Sequence, residues 1–176
     1  MNGLFGQNRI LTIADVSQLH EKIHLAINSQ LRQERAAQCP QADAIFFGMT
    51  PGEVDALFLR IDQMAMLDLL STVEAHLRMD FQNRVREKRK DALSRQFRSV
   101  AKRRHHRIRL KEDILAGWSE HYQGSKVSIN DFNAALKVRD WLAHGRYWVP
   151  KFQPGYNRIV VRDICNNLAQ ALFPPS

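Results

Sequence analysis

The sequence predicts an all-α protein, a helical bundle of four to five main helices with one of them long and basic. Three observations carry that expectation. Apolar residues recur at steps of three and four through most of the 176 residues, the period of one helix face. A helix start is spelled out at Thr50-Pro51-Gly52-Glu53, a capping box with proline at the first helical position. No segment alternates apolar and polar over a strand's length; residues 44–47 read at most as a short extended piece with nothing to pair with.

The first helix is expected over residues 14–37, with Val16, Leu19, Ile23, Ile27 and Leu31 on one face and Cys39-Pro40 ending it. From the capping box a long pattern runs through Leu57, Ile61, Met64, Leu67, Leu70, Val73, Leu77, Phe81 and Val85. It thins after Arg84 to Leu93, Phe97 and Val100, where the helix should project or bend; no proline stops it before Leu110. A shorter helix follows over residues 111–122, closed by Gly124-Ser125. Ser128 or Asn130 caps the next, which carries Ile129, Phe132, Leu136, Trp141 and Leu142 and ends near Gly145. After a loop with Pro150 and Pro154, a last helix starts near Asn157 and lines up Val161, Ile164, Leu168 and Leu172. Residues 1–49 read as a helical extension and residues 50–176 as the bundle proper, in one compact domain, a size that one core can serve.

Composition narrows the function. No run of apolar residues is long enough to cross a bilayer, and the opening MNGLFGQNRILTI lacks the pattern of a secretory signal, so a cytoplasmic protein is expected. Cys39 and Cys165 are too few for a disulfide framework or a four-cysteine metal site and read as packed or idle thiols. The net charge of +8 is concentrated: 13 of the 26 Lys and Arg residues fall between Arg84 and Lys111, against only Glu87 and Asp91. Such a stripe, with Arg103, Arg104 and Arg107 at its densest part, is either a solvated helix face or a surface for nucleic-acid phosphates. No glycine-rich phosphate loop points to ATP or GTP.

The chemistry concentrates in Leu136-Lys137-Val138-Arg139-Asp140-Trp141-Leu142-Ala143-His144-Gly145. Arg139 falls on the line Phe132, Leu136, Arg139, Ala143, which places a guanidinium beside the buried stripe of an amphipathic helix. A charge there needs a partner or a task. Asp140 and His144, four apart, share a face, and a carboxylate that orients an imidazole is the basis of an acid–base pair. Spacing alone leaves a structural reading open: an Arg–Asp contact, and a histidine at the negative end of the helix dipole.

Arg139-Asp140-(x)3-His144 resembles the motif of the HEPN superfamily, in which an arginine is followed by a polar residue, three variable positions and a histidine. The string RDWLAHGRYW is similar to prokaryotic HEPN proteins of toxin–antitoxin and abortive-infection systems, and the resemblance covers roughly residues 51–173. It implies an up-and-down four-helix bundle that forms a homodimer through the motif helix and cuts single-stranded RNA without a metal or other cofactor. The 2′-hydroxyl attacks the adjacent phosphate, giving a 2′,3′-cyclic phosphate. By that resemblance His144 is the general acid or base, Arg139 grips the scissile phosphate, and Asp140 orients the site. It also implies a cognate antitoxin, of nucleotidyltransferase or other type. In some relatives a tyrosine two residues after the histidine is modified; here Tyr147 stands three residues after, which puts that modification in doubt. The alternative is a non-catalytic HEPN module that binds RNA or a protein partner.

Arg146, Tyr147, Trp148 and Lys151 form a basic–aromatic loop whose rings either stack on bases or pack. Glu74 lies on the apolar line Leu70, Glu74, Leu77, Phe81 and is expected either to pair with Arg78 or to reach Arg139 in support of the site. His20-Glu21-Lys22-Ile23-His24 fits the zinc pattern H-E-x-x-H, but Lys22 is out of character and no third ligand stands out, so a zinc hydrolase is the weakest of the three readings.

Overall fold

The computed structural model describes residues 11–37, 44–105, 107–144 and 155–173. Among these are six α-helices and no strand: α1 (Ile13–Ala36), α2 (Pro51–Arg86), α3 (Ala92–Arg104), α4 (Ala116–His121), α5 (Lys126–Ala143) and α6 (Arg158–Leu172). The expected all-α bundle is what the chain forms. Among the described residues no helix is long and apolar enough to cross a membrane.

The longest helix is α2, 36 residues, started as its capping box requires: Thr50 Oγ1 accepts the Glu53 N–H at 3.3 Å, and the Thr50 N–H donates to Glu53 Oε2 at 2.7 Å. α1, α3, α5 and α6 all pack around it. Being touched from several sides, α2 buries residues such as Ile61, Thr72, Met66, Leu70 and Phe81, which spread over about half of the helix circumference, while Met64 is exposed. The face that α1 turns inward is rotated from the expected one. Val16, His20 and Leu31 are buried, whereas Leu19 is exposed, so α1 meets α2 through histidines as much as aliphatics.

The basic segment does not continue α2. The helix stops at Arg86, Lys88 takes a left-handed φ of 52°, and Asp91 caps a new helix by accepting the Ser94 N–H at 2.9 Å. α3 then folds back on α2, with the Phe81 and Phe97 rings 4.8 Å apart. Arg84 fixes this corner. Only 9 % exposed, it donates to Asp80 Oδ2 at 2.7 Å and to Asp91 Oδ1 at 3.3 Å and lies 4.8 Å from the centroid of the Trp118 ring. Burial raises the Asp80 carboxyl above its ordinary value in spite of the Arg84 hydrogen bond.

The expected helix over residues 111–122 is a composite. A π-helical turn at Leu110–Leu115 leads into α4, and a short 3-10 turn at Gln123–Ser125 leads directly into α5, which begins ahead of Ser128. α6 starts where expected, with Asn157 Oδ1 accepting the Val160 N–H at 3.0 Å. Residues 44–49 turn rather than extend, because the Glu34 carboxylate accepts the Ile45 and Phe46 N–H groups at 3.0 and 2.8 Å.

Gly117 lets α4 approach α3: a Cβ there would lie 2.7 Å from Phe97 Cε1 and 3.2 Å from Leu93 Cδ1, both in fully buried side chains. Gly117→Ala is therefore expected to destabilise the protein by about 1–3 kcal/mol through overpacking, read as a lowered urea midpoint at unchanged slope. Cys165 is fully buried, and burial pushes its thiol up to about 12, while Cys39 lies outside the described residues. In a Cys39→Ser background, Cys165 should resist thiol reagents at pH 8 until denaturant unfolds the bundle, because only the thiolate reacts.

Candidate functional site

α5 is seated by Ile129, Phe132, Ala135, Leu136 and Val138, all buried. Ser125 does not cap it through its side chain; its hydroxyl donates back to the Tyr122 carbonyl at 2.6 Å and so closes the preceding turn. Arg139 continues the inward line, and its guanidinium crosses to α2, where Nη2 donates to Glu74 Oε2 at 2.8 Å. Its Nε lies 3.4 Å from Asp140 Oδ1, an ion-pair contact. Asp140 and His144 stand on the outward side of the same helix end. His144 is the C-cap residue, exposed, with its backbone N–H donating to the Asp140 carbonyl at 3.1 Å. Five residues of helix separate Arg139 from His144, about 140° around the axis, so the fold directs the guanidinium toward α2 and the imidazole outward.

The two partners anticipated for Glu74 are both realised. While Oε2 takes Arg139, Oε1 accepts from Arg78 Nε at 2.9 Å and lies 2.8 Å from Nη2, an ion-pair contact. Arg78 Nη1 in turn donates to the Ile108 carbonyl at 3.3 Å. The side chains grade from 19 % exposed at Glu74 through 28 % at Arg139 to 41 % at Arg78 and 45 % at Asp140, so the cluster opens toward solvent on its arginine side.

The basic stripe is not one uniform face. Arg84 is internal, as described. Arg103, Arg104, His105 and Arg107 surround an open concavity of about 630 Å³ just past the end of α3. Arg104 is tied down there: its Nε lies 2.9 Å from Oδ1 of Asp113, a carboxylate 2 % exposed. Asp113 Oδ2 accepts the Arg109 N–H at 2.8 Å, so one buried carboxylate holds both ends of the turn. His105 within it has φ 52° and ψ −114°, a conformation that L residues rarely adopt. Arg103 and Arg107 remain exposed at the rim. Of the residues expected to touch RNA, Arg146, Tyr147, Trp148 and Lys151 lie outside the described residues.

Two contributions escaped the reading of the sequence. Arg84 steps off Leu77 and Phe81 by four and three, as Arg139 does off Phe132 and Leu136, and sits four residues after Asp80, yet within a run of basic residues it looked like one more surface charge. Asp113 is followed by Ile114 and Leu115, and all three are buried, which no ordinary helical period predicts.

The H-E-x-x-H pair does different work. His20 Nε2 meets Asp68 Oδ2 at 2.9 Å and His24 Nε2 meets Asp62 Oδ1 at 3.0 Å, two separate contacts that staple α1 to α2. Arg158 of α6 joins the second at 3.2 Å, and His24 stacks on Phe58. Among the described residues no group of three or more His, Cys, Asp or Glu is arranged to hold a metal ion.

Glu74→Ala removes the acceptor of two arginines at once. The pair is only partly shielded, so a loss of roughly 1–2 kcal/mol is expected, between the surface and buried limits for ion pairs. In a double-mutant cycle with Arg139→Ala the two losses should fall short of additive; strict additivity would show that the contact carries no coupling. Comparison with protein-family models, curated proteins and solved structures gives no match for this chain, so its function has to be read from the side chains themselves.

Proposed function

We propose that this chain is a metal-independent endoribonuclease of the HEPN type, acting as a homodimer in toxin or phage-defence systems. The observation that carries the reading is the end of α5. Arg139 is aimed and held by Glu74 at a half-open surface, with Asp140 beside it and His144 a turn further on. An arginine held in a fixed orientation can stabilise charge developing on a phosphate without reorganising at that moment. In the proposed reaction the RNA 2′-oxygen forms a bond to phosphorus and the bond from phosphorus to the 5′-oxygen breaks. A base takes the 2′-hydroxyl proton and an acid returns one to the leaving 5′-oxygen, leaving a 2′,3′-cyclic phosphate and a 5′-hydroxyl. RNA is the substrate because it alone carries the internal nucleophile.

The motif's one imidazole per chain is short of an acid and a base. A two-fold axis along the outward face of α5, where Lys137 and His144 are exposed and Trp141 half-buried, supplies the second copy. A second reading has its own support: Glu74 already occupies Arg139, which suits a module that binds RNA through the basic turn without cutting it.

His144→Ala is expected to lower cleavage of a single-stranded RNA by about 100- to 10,000-fold while leaving RNA binding and dimerisation in place. Wild-type cleavage should persist in EDTA and yield a cyclic phosphate, read by end-group analysis of the products. Mixing His144→Ala with Arg139→Ala chains should restore some activity if each centre takes its Arg and His from different protomers. Wild-type rates from purified His144→Ala would end the catalytic assignment; binding with no cleavage by the wild type would favour the module.

A further inference from the structure

We infer that the basic turn after α3 and the motif at the end of α5 form one track for a single RNA strand, with Arg78 as the phosphate-contacting residue that joins them. This rests on the reading of the chain as an RNA-binding HEPN protein and names a contact that the motif itself does not include.

The sequence presents the stripe and the motif as separate features, about thirty residues apart. The fold connects them through one side chain. Arg78 shares the Glu74 carboxylate with Arg139 on one side and donates to the Ile108 carbonyl, the residue after Arg107, on the other. A guanidinium carries five N–H donors. Two are engaged in hydrogen bonds, Nε to Glu74 and Nη1 to Ile108, while Nη2 makes an ion-pair contact with the same Glu74 oxygen, which leaves donors on Nη1 and Nη2 of a side chain 41 % exposed. The two anchors fix its plane, so little conformational freedom is left to lose when a phosphate binds. Glu74 and Asp140 together balance the charges of Arg78 and Arg139, so what the cluster offers a phosphate is the set of unused, oriented N–H donors on Arg78. The turn is equally prepared, since Asp113 holds its two ends and Arg103 and Arg107 stand open at the concavity. Arg104, bound to Asp113, shapes the turn and is not itself among the contacts proposed to grip the strand.

The probe is a 12-nucleotide 2′-O-methyl RNA, which lacks the free 2′-hydroxyl and cannot be cleaved by this route, followed by fluorescence anisotropy across a salt series. Each phosphate contact contributes about 0.7 to the salt slope of single-strand binding, equivalent to about fivefold in Kd at 0.1 M salt. Arg78→Gln and Arg107→Gln should each weaken binding by about that factor and flatten the slope, and together by about 25-fold; Arg35→Gln on α1 should change nothing. Arg78→Lys should retain most of the slope. Because Arg78→Gln also loses structural contacts, wild-type protein is crosslinked in parallel to the same RNA carrying 4-thiouridine. Labelled peptides from both the 103–109 turn and the α2 segment around Arg78 are expected. Labelling of the turn alone, or an Arg78→Gln protein that melts and binds as wild type, overturns the track. Cleavage of unmodified RNA is scored separately: track binding without cleavage removes the nuclease and keeps the track, whereas His144-dependent cleavage unaffected by Arg78→Gln and Arg107→Gln removes the track and keeps the nuclease.

Discussion

The buried guanidinium of Arg84 is the constraint from which the rest of the arrangement follows. Its partners come from three places: Asp80 on its own helix, Asp91 at the start of α3, and the Trp118 ring on α4. Taking both carboxylates away would leave a charge uncompensated in a largely apolar corner, the situation that costs about 3–5 kcal/mol in buried pairs generally. Satisfying all three at once requires the chain to turn back after Arg86. That reversal is why α3 lies along α2 instead of projecting from it, and why the end of α3 comes round to where Arg78 meets Ile108.

Arg84 and Arg139 invite comparison because the sequence marks them identically, each on the apolar line of its helix with a carboxylate close by. Their surroundings separate them. Arg84 is 9 % exposed and stacked over an indole, with acceptors on several sides. Arg139 is 28 % exposed at its side chain and is held by Glu74 from the inner side, with Asp140 on its more open side. The first is a rivet. The second is held from within while open toward solvent, which is the condition for a guanidinium to be aimed at a ligand rather than consumed by the fold.

What the sequence disclosed depended on whether local chemistry or tertiary contact decided the outcome. The starts at Thr50 and Asn157 were legible because a capping side chain and its backbone partner lie three residues apart. At residues 87–90 the thinning pattern announced a projection or a bend but not which, since no proline or glycine marks a break, and Asp91 reads as a cap only once the chain is known to turn. The inward face of α1 was misjudged at Leu19 for a related reason: the carboxylate that His20 meets, Asp68, sits 48 positions away on α2. At the site, the motif and the dual possibility for Glu74 could be read directly. The link from Arg78 to Ile108 spans 30 residues and goes through a backbone carbonyl, which no side-chain pattern encodes.

The π-helical turn at Leu110–Leu115 ties the shape of the basic turn to the length of the chain. A π turn accommodates one residue more than an α turn, and here the extra residue is what allows Asp113, Ile114 and Leu115 to be buried in succession. Ile114 and Leu115 enter the core while Asp113 turns back to hold Arg104 and the Arg109 amide. Deleting a single residue from this segment would restore ordinary helical winding, which cannot bury three successive residues. Either the aliphatic pair or the carboxylate would then leave its place. The register of the segment, more than the identity of any one basic side chain, is the inherited quantity that keeps the arginines of the turn where they stand.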